Sequence, residues 1–264
     1  MISGIWQRLG IRKKRQMSMF DLTGRKALVT GVGSPIGLGR AMAQGLKEFG
    51  AEVAIISRSA RCFDLAKEDG FIAVQADLTN RTELQRAFKE IVEKLGTLDI
   101  LINNHATGKR HEALTFPIEA WDLIMETNVT SVFLLCQLAA PIMIAKGYGK
   151  IINMASMATF FGIAETSSYT ASKGAIGQLT KVLASEWSSR GINVNAIAPG
   201  LIETEMTSIV KKDPARREFF FQRITAGRFG KAEDLKGAAV FLASHASDYV
   251  HGTILPVDGG WMAR

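Results

Sequence analysis

Cysteine, proline and histidine are all scarce in this chain of 264 residues, at two, six and four copies. Cys62 and Cys136 lie far apart and form no CxxC pair, so each reads as a small core hydrophobe in a reducing cytoplasm. A chain this long can bury a sizeable core and needs neither disulfides nor a metal to hold it. Six prolines beside 25 glycines exclude a Pro-rich disordered protein. His111, His245 and His251 fit no metal-ligand spacing such as HExxH, so no metal is expected. The most apolar stretch, Val132 to Ala145, is interrupted by Gln137 and Pro141 and is too short to span a bilayer.

Acidic residues are missing from residues 1–16, which hold Arg8, Arg12, Lys13, Lys14 and Arg15. The whole chain carries +7; without this leader 27 basic and 25 acidic residues remain, a net of +2. The basic excess therefore belongs to a short extension and implies no nucleic-acid partner for the body. No apolar segment of the secretory kind follows those charges. Three readings of residues 1–16 stay open: a disordered tail, a surface anchor using Ile2, Ile5, Trp6, Leu9 and Ile11, or sequence upstream of the true start.

What is present is a repeating pattern. Short runs rich in Ile, Val and Leu fall at Lys26–Thr30, Glu52–Ser57, Phe71–Gln75, Asp99–Asn103, Lys150–Ala155, Ile192–Ile197 and Thr253–Val257. They show little polar alternation, as expected of strands buried on both faces. Helical patterns lie between them near 37–49, 81–95, 117–145, 168–189 and 232–244. Strand and helix in alternation predict an α/β fold, one doubly wound parallel sheet of about seven strands with helices on both faces. No linker, repeat or low-complexity block divides the chain, so residues 17–264 read as one domain.

The first strand runs into Thr30-Gly31-Val32-Gly33-Ser34-Pro35-Ile36-Gly37-Leu38-Gly39 and then a helix. A Gly-rich turn between strand and helix lets backbone approach a pyrophosphate at the positive helix N-terminus; a purely structural turn is the alternative. The second strand ends Ser57-Arg58 with no acid to take a ribose 2′-hydroxyl. A guanidinium there suits a 2′-phosphate, which leans toward NADP(H) over NAD(H), although an exposed arginine without a role is also open.

Tyr169 and Lys173 are four residues apart and share one helix face. A free phenol has a pKa near ~10 and is a poor base at neutral pH. A neighbouring ammonium favours the phenolate and makes Tyr169 a workable proton donor and acceptor. Ser156, thirteen residues earlier, ends a predicted strand, where its hydroxyl can meet a substrate carbonyl.

Taken in order, Thr30-Gly31 to Gly39, Asp77-Leu78, Ile102-Asn103-Asn104, Asn128, Ser156, Tyr169 to Lys173 and Asn195 to Gly200 resemble the short-chain dehydrogenase/reductase family. The likeness runs from about Met17 to Arg264, and within the family it points to the gluconate 5-dehydrogenase and 2-dehydro-3-deoxygluconate 5-dehydrogenase subgroup. The resemblance implies a Rossmann fold, a cytoplasmic homotetramer, and hydride transfer between NADP(H), less often NAD(H), and a secondary alcohol or ketone such as a sugar acid or polyol. It implies Tyr169 as proton donor, Lys173 on the ribose, Ser156 on the carbonyl and Asn128 on a proton-carrying water. Gly31, Gly33, Gly37, Gly39, Ser57, Arg58, Asp77, Leu78, Asn103, Pro199, Gly200, Ile202 and Thr204 would bind cofactor, with Asn103 beside the ribose. The terminal Gly259-Gly260-Trp261-Met262 would serve a subunit contact.

Several features depart from that pattern. Five residues, Val32 to Ile36, separate Thr30-Gly31 from Gly37, where the family usually has three; Gly33 is expected to permit the bulge. The usual NNAG reads Asn103-Asn104-His105-Ala106, and His105 is expected to fill space or hydrogen-bond. Glu165, itself a candidate substrate contact, stands where sugar-acid relatives often carry Arg, leaving Lys109, Arg110 and His111 as candidates for a substrate anion. Phe219-Phe220-Phe221 reads as core or subunit interface, and Lys211-Lys212 and Arg216-Arg217 as a solvated helix surface beside a lid. Two rival readings are a cofactor-binding sensor without turnover and a divergent enoyl reductase. The second is prompted by the longer loop and opposed by the ordinary Tyr–Lys spacing.

Overall fold

The structure, a computed structural model, describes residues 19–205, 207 and 214–263. The leader at 1–16 and Lys211-Lys212 lie outside the described residues. The seven expected strands all form, each within two residues of its expected ends: β1 Lys26–Thr30, β2 Glu52–Ser57, β3 Ile72–Gln75, β4 Ile100–Asn103, β5 Gly149–Met154, β6 Ile192–Pro199 and β7 Ile254–Val257. They pair in parallel throughout, in the order β3-β2-β1-β4-β5-β6-β7. The order reverses between β1 and β4, which opens a crevice beyond the carboxyl ends of those strands.

Period-two alternation divides the strand residues between two cores. Leu28, Ala54, Ile56, Leu101, Ile151 and Val194 face helices α3 (Arg81–Leu95), α5 (Ser131–Lys146) and α6 (Ser167–Trp187). Val29, Val53, Ile55, Ile100, Ile102 and Ile197 face α1 (Leu38–Glu48), α2 (Arg61–Asp69) and α8 (Lys236–Ala243). Burial on both faces explains why the strands lack polar alternation. Asn80 starts α3 as a true cap, its Oδ1 accepting the Thr82 and Glu83 N–H at 3.0 and 3.2 Å.

The run from α4 (Ile118–Met125) through one π-helical turn, Glu126–Thr130, into α5 is continuous. Its 29 residues are long and apolar enough to cross a membrane by composition, and Pro141 sits inside it. Seven residues of α5 are nevertheless buried against the sheet, which identifies it as a core helix. Helix α2 and a short helix α7 (Pro214–Phe221) add to the five helical patterns read from sequence.

At the amino ends of the strands a charged network is anchored on two buried residues, Lys150 and Asp99. Lys150 of β5 is 1% exposed, and its Nζ donates to Asn193 Oδ1 at 3.0 Å and Asp248 Oδ1 at 2.7 Å. The Arg25 guanidinium lies 3.7 Å from the centre of the Tyr148 ring. Buried Asp99 accepts the Lys26 N–H at 2.8 Å and pairs with Arg25 and Lys146. Removing the partner of buried Lys150 or Asp99 is destabilising, because that charge then stays buried and uncompensated.

Candidate active site

A cavity of about 560 Å³ opens at the carboxyl ends of the strands, over the crevice between β1 and β4. Its floor starts where β1 ends. Gly31 adopts φ 74°, and a Cβ there would sit 2.7 Å from the His105 Cα, so both the backbone conformation and the contact demand glycine. Gly33 is needed for a different reason. A Cβ there would lie 2.5 Å from Ser57 Oγ, so the longer loop is pressed onto the end of β2. The left-handed turn is at Gly31, and Gly33 is not among the residues of positive φ.

Gly37 precedes α1 and offers no side-chain cap, leaving first-turn N–H groups for a ligand. Gly37 and Leu38 both line the cavity. Ser34 lines it as well, and its buried Oγ has no hydrogen-bond partner among the described residues. Gly39 does not line it; a Cβ there would lie 2.5 Å from the Asn104 amide nitrogen.

Ser57, Arg58, Asp77 and Leu78 form the neighbouring wall. Ser57 Oγ accepts the Ser59 N–H at 3.2 Å. Asp77 accepts from the Thr79 N–H and hydroxyl at 3.0 and 2.8 Å. Burial raises its carboxyl, but the Thr79 bonds and the Arg58 charge outweigh that and leave it below the usual carboxylate range. The exposed Arg58 guanidinium acts on Asp77 through its charge and forms no salt bridge among the described residues. Bare glycine backbone, an uncapped helix start, the unpartnered Ser34 hydroxyl and this cation fit a phosphate-bearing dinucleotide.

At the far side of the cavity Ser156, Tyr169 and Lys173 meet. Ser156 follows β5 and caps a short turn, Met157–Thr159: its Oγ accepts the Ala158 N–H at 3.2 Å and its N–H donates to Thr159 Oγ1 at 3.3 Å. Tyr169 and Lys173 lie one turn apart on α6, with Lys173 Nζ 5.7 Å from the phenol ring centre. Lys173 is 3% exposed and donates to the Met154 carbonyl at 2.6 Å. Burial pushes its ammonium down to about 8.

The expected lowering of the Tyr169 phenol by Lys173 is not found. Burial holds that phenol above its ordinary value, and the Ser156 hydroxyl is the group that opposes the rise. Asn128, in the π-helical turn, is buried behind these residues. Its amide accepts the Thr107 N–H at 2.8 Å and donates to the Thr107 carbonyl at 2.9 Å and Ser172 Oγ at 3.0 Å.

Pro199, the last residue of β6, and Gly200, Ile202 and Thr204 beyond it line the cavity as expected from sequence. Asn103 does not. It is 1% exposed, and its Nδ2 donates to Asn153 Oδ1 at 2.9 Å and Cys136 Sγ at 3.2 Å, behind the sheet. The next residue, Asn104, points the other way and donates to the Thr30 and Gly31 carbonyls at 2.9 and 3.2 Å. Alternation along a strand places the second asparagine, not the first, at the site.

Arg110, His111 and Glu165 also lie outside the cavity lining. Arg110 pairs with Glu165 at 3.5 Å, and the His111 N–H donates to the Glu165 carbonyl at 2.9 Å. Arg110 is thus engaged with a carboxylate of the chain itself, across a turn where Glu165 has φ 65°. The loop they hold passes over Tyr169, since a Cβ on Gly108 would lie 3.2 Å from the ring. Sequence reasoning passed over Thr107 and Thr159, which stand in no motif and gain their partners Asn128 and Lys173 only in the fold, and it gave no role to Ser34 and Asn104, although both stand inside the Gly-rich and Asn-Asn motifs.

Phe220 packs on Trp261 with ring centres 5.6 Å apart, and Phe161 stacks on the same indole at 6.4 Å; Phe219 is exposed. Among the described residues no group of three or more His, Cys, Asp or Glu could hold a metal ion.

The family model described as enoyl-(acyl carrier protein) reductase matches residues 31–262. A 2-dehydro-3-deoxy-D-gluconate 5-dehydrogenase of Bacillus subtilis is 43% identical over 250 residues, 93% of this chain and 97% of the relative. A gluconate 5-dehydrogenase of Gluconobacter oxydans is 40% identical, over 92% of this chain and 96% of its own length. The crystal structure of a gluconate 5-dehydrogenase from Burkholderia cenocepacia, in complex with NADP and tartrate, superposes with a TM-score of 0.89 at 37% identity, covering 94% and 99% of the two chains. With such likeness along nearly its whole length, on a seven-stranded parallel sheet flanked by helices, the chain belongs to the short-chain dehydrogenase/reductase family.

Proposed function

We propose that this protein is an NADP(H)-dependent oxidoreductase that interconverts a secondary alcohol and a ketone on a sugar acid or related polyol. The observation that carries this reading is the meeting of Ser156, Tyr169 and Lys173 at one end of a cleft whose other end suits a phosphate-bearing dinucleotide. The bound cofactor supplies or accepts the hydride. Gly31, Gly33, Gly37 and the start of α1 would hold its pyrophosphate, and Ser34 and Arg58 would meet its phosphates.

In the direction of reduction, Ser156 donates a hydrogen bond to the substrate carbonyl and Tyr169 passes its proton to the same oxygen. Developing negative charge on that oxygen is stabilised by both hydroxyls. Lys173, held by the Met154 carbonyl, supplies positive charge beside Tyr169 and would hold the ribose hydroxyls of the cofactor. Asn128 keeps α6 and the Thr107 segment in register, beside a route by which a water would resupply the proton.

Relatives named for gluconate and 2-dehydro-3-deoxygluconate support the sugar-acid class, and the NADP of the Burkholderia structure supports the cofactor. The four-residue Tyr–Lys spacing favours a ketone over an enoyl substrate. Helices α4 to α6 leave Ile118, Phe133 and Val182 exposed, apolar surface that suits a homotetramer of a cytoplasmic enzyme, with residues 1–16 outside the catalytic domain. The test is a panel of ketogluconates, gluconate and neutral polyols read by NADPH and NADH absorbance. Reduction of a ketogluconate by NADPH, or oxidation of gluconate by NADP+, is expected; cofactor binding with neither oxidation nor reduction of any panel member would overturn the proposal.

A further inference from the structure

We propose that His105 is a positioning residue, a neutral two-ended strut that fastens the cofactor end of β1 to the turn carrying Asn128. The proposal deepens the oxidoreductase reading and rests on it for its kinetic arm only.

Both ring nitrogens of His105 are engaged. Nδ1 lies 2.6 Å from Thr30 Oγ1 and Nε2 lies 2.7 Å from Ser131 Oγ. The directions of these bonds follow from their neighbours. Ser131 donates its own proton to the Thr127 carbonyl at 2.6 Å, so it must accept from an Nε2–H. Thr30 Oγ1 accepts the Asn104 and His105 N–H at 3.0 and 3.3 Å, so its proton is free to go to a bare Nδ1. The Ile102 carbonyl, at 3.4 Å, is the more distant acceptor. One tautomer, neutral with the proton on Nε2, satisfies every group. Burial, aided by the nearby Lys173 charge, pushes the ring down to about 3.

The two ends of the strut matter because of what they hold. Thr30 leads directly into Gly31, whose backbone is pressed against His105. Ser131 is wholly buried at the first turn after the π-helical segment. Two residues beyond His105, Thr107 is clamped by Asn128 through both its N–H and its carbonyl, and Asn128 reaches on to Ser172, the neighbour of Lys173. His105 and Asn128 therefore stitch the segment after β4 to the same turn from two sides. Loss of the strut lets the glycine loop and the Lys173 helix shift independently.

The experiment has two arms on the full chain. In ¹⁵N-histidine spectra, His105 is expected to show the neutral Nε2–H tautomer with shifts unchanged from pH 5 to 8. A titration midpoint inside that range, or a proton on Nδ1, overturns the proposal. In the second arm, NADPH dissociation and kcat are measured for His105→Phe, His105→Gln and Ser131→Ala. Phe keeps bulk without polar atoms and is expected to weaken NADPH binding and lower kcat by about tenfold; Gln, which keeps a donor toward Ser131, recovers part of the loss. Wild-type constants in the Phe variant reduce His105 to a space-filler and overturn the strut. Should His105→Phe not fold, Ser131→Ala gives the same decision, since it deletes one end of the strut and leaves the ring. A wild-type protein that turns over no substrate would sink the oxidoreductase reading while the spectra and NADPH binding still decide this one.

Discussion

The Thr159 hydroxyl donates to the backbone carbonyl of Lys173 at 2.9 Å while accepting the Ser156 N–H at 3.3 Å. One side chain thus joins the turn that presents Ser156 to the helix that presents Tyr169 and Lys173. Its methyl has room only because residue 177 is glycine; a Cβ there would come within 2.6 Å of it.

Replacing Thr159 by Val keeps the shape and removes the hydroxyl. We expect a stability loss of about 1–2 kcal/mol in thermal unfolding and a fall in kcat with NADPH affinity unchanged. Thr159→Ser should restore the rate. A Val variant with native kcat would leave the turn with no bearing on Ser156.

Tyr169→Phe removes the proposed proton donor and little else. Turnover should drop by roughly 10²–10⁴-fold, while fluorescence titration of NADPH should give a dissociation constant close to wild type. Retained activity would transfer the proton chemistry to another group.

Arg58→Ala tests the cofactor choice. Losing a charge-assisted contact of about 1.5–3 kcal/mol should raise KM for NADPH by roughly ten- to a hundredfold and leave NADH nearly untouched. If wild-type catalytic efficiency is already higher with NADH, the guanidinium has no part in selection.

His105 makes stability depend on pH in a defined direction. Its folded value near 3 lies below the ordinary 6.5, so below pH 6.5 the unfolded chain takes up a proton that the folded chain refuses. This contribution is complete above pH 6.5 and is lost progressively down to pH 3, with a slope of up to about 1.4 kcal/mol per pH unit. Urea unfolding of His105→Gln should show a flatter acid limb than wild type. Parallel limbs would mean that the ring is already charged in the folded protein.

Strands were the most legible part of the sequence because burial on both faces leaves an unbroken apolar signature. Helix α2 was not legible: its nine residues, Arg61–Asp69, bury only Cys62, Leu65 and Ala66, and so short a helix owes its stability to the sheet beneath it more than to its own pattern. The same division holds at the site. Tyr169, Lys173 and Ser156 were readable from spacing along one helix and one strand end. Asn103 was misplaced by a single step of strand alternation, which only the register with Asn153 reveals. Arg110 was readable as a cation but not as one already paired, since Glu165 lies 55 positions away in a turn of its own.

The parallel sheet also separates two kinds of tolerance to change. The cavity and its loops gather at the carboxyl ends of the strands, whereas Lys150, Asn193, Asp248, Arg25 and Tyr148 lock the opposite ends. Those two regions share no side chain. Variation in substrate can therefore be explored by mutation at one pole while the other acts as an unchanging keel, and gains or losses at the two poles should combine additively.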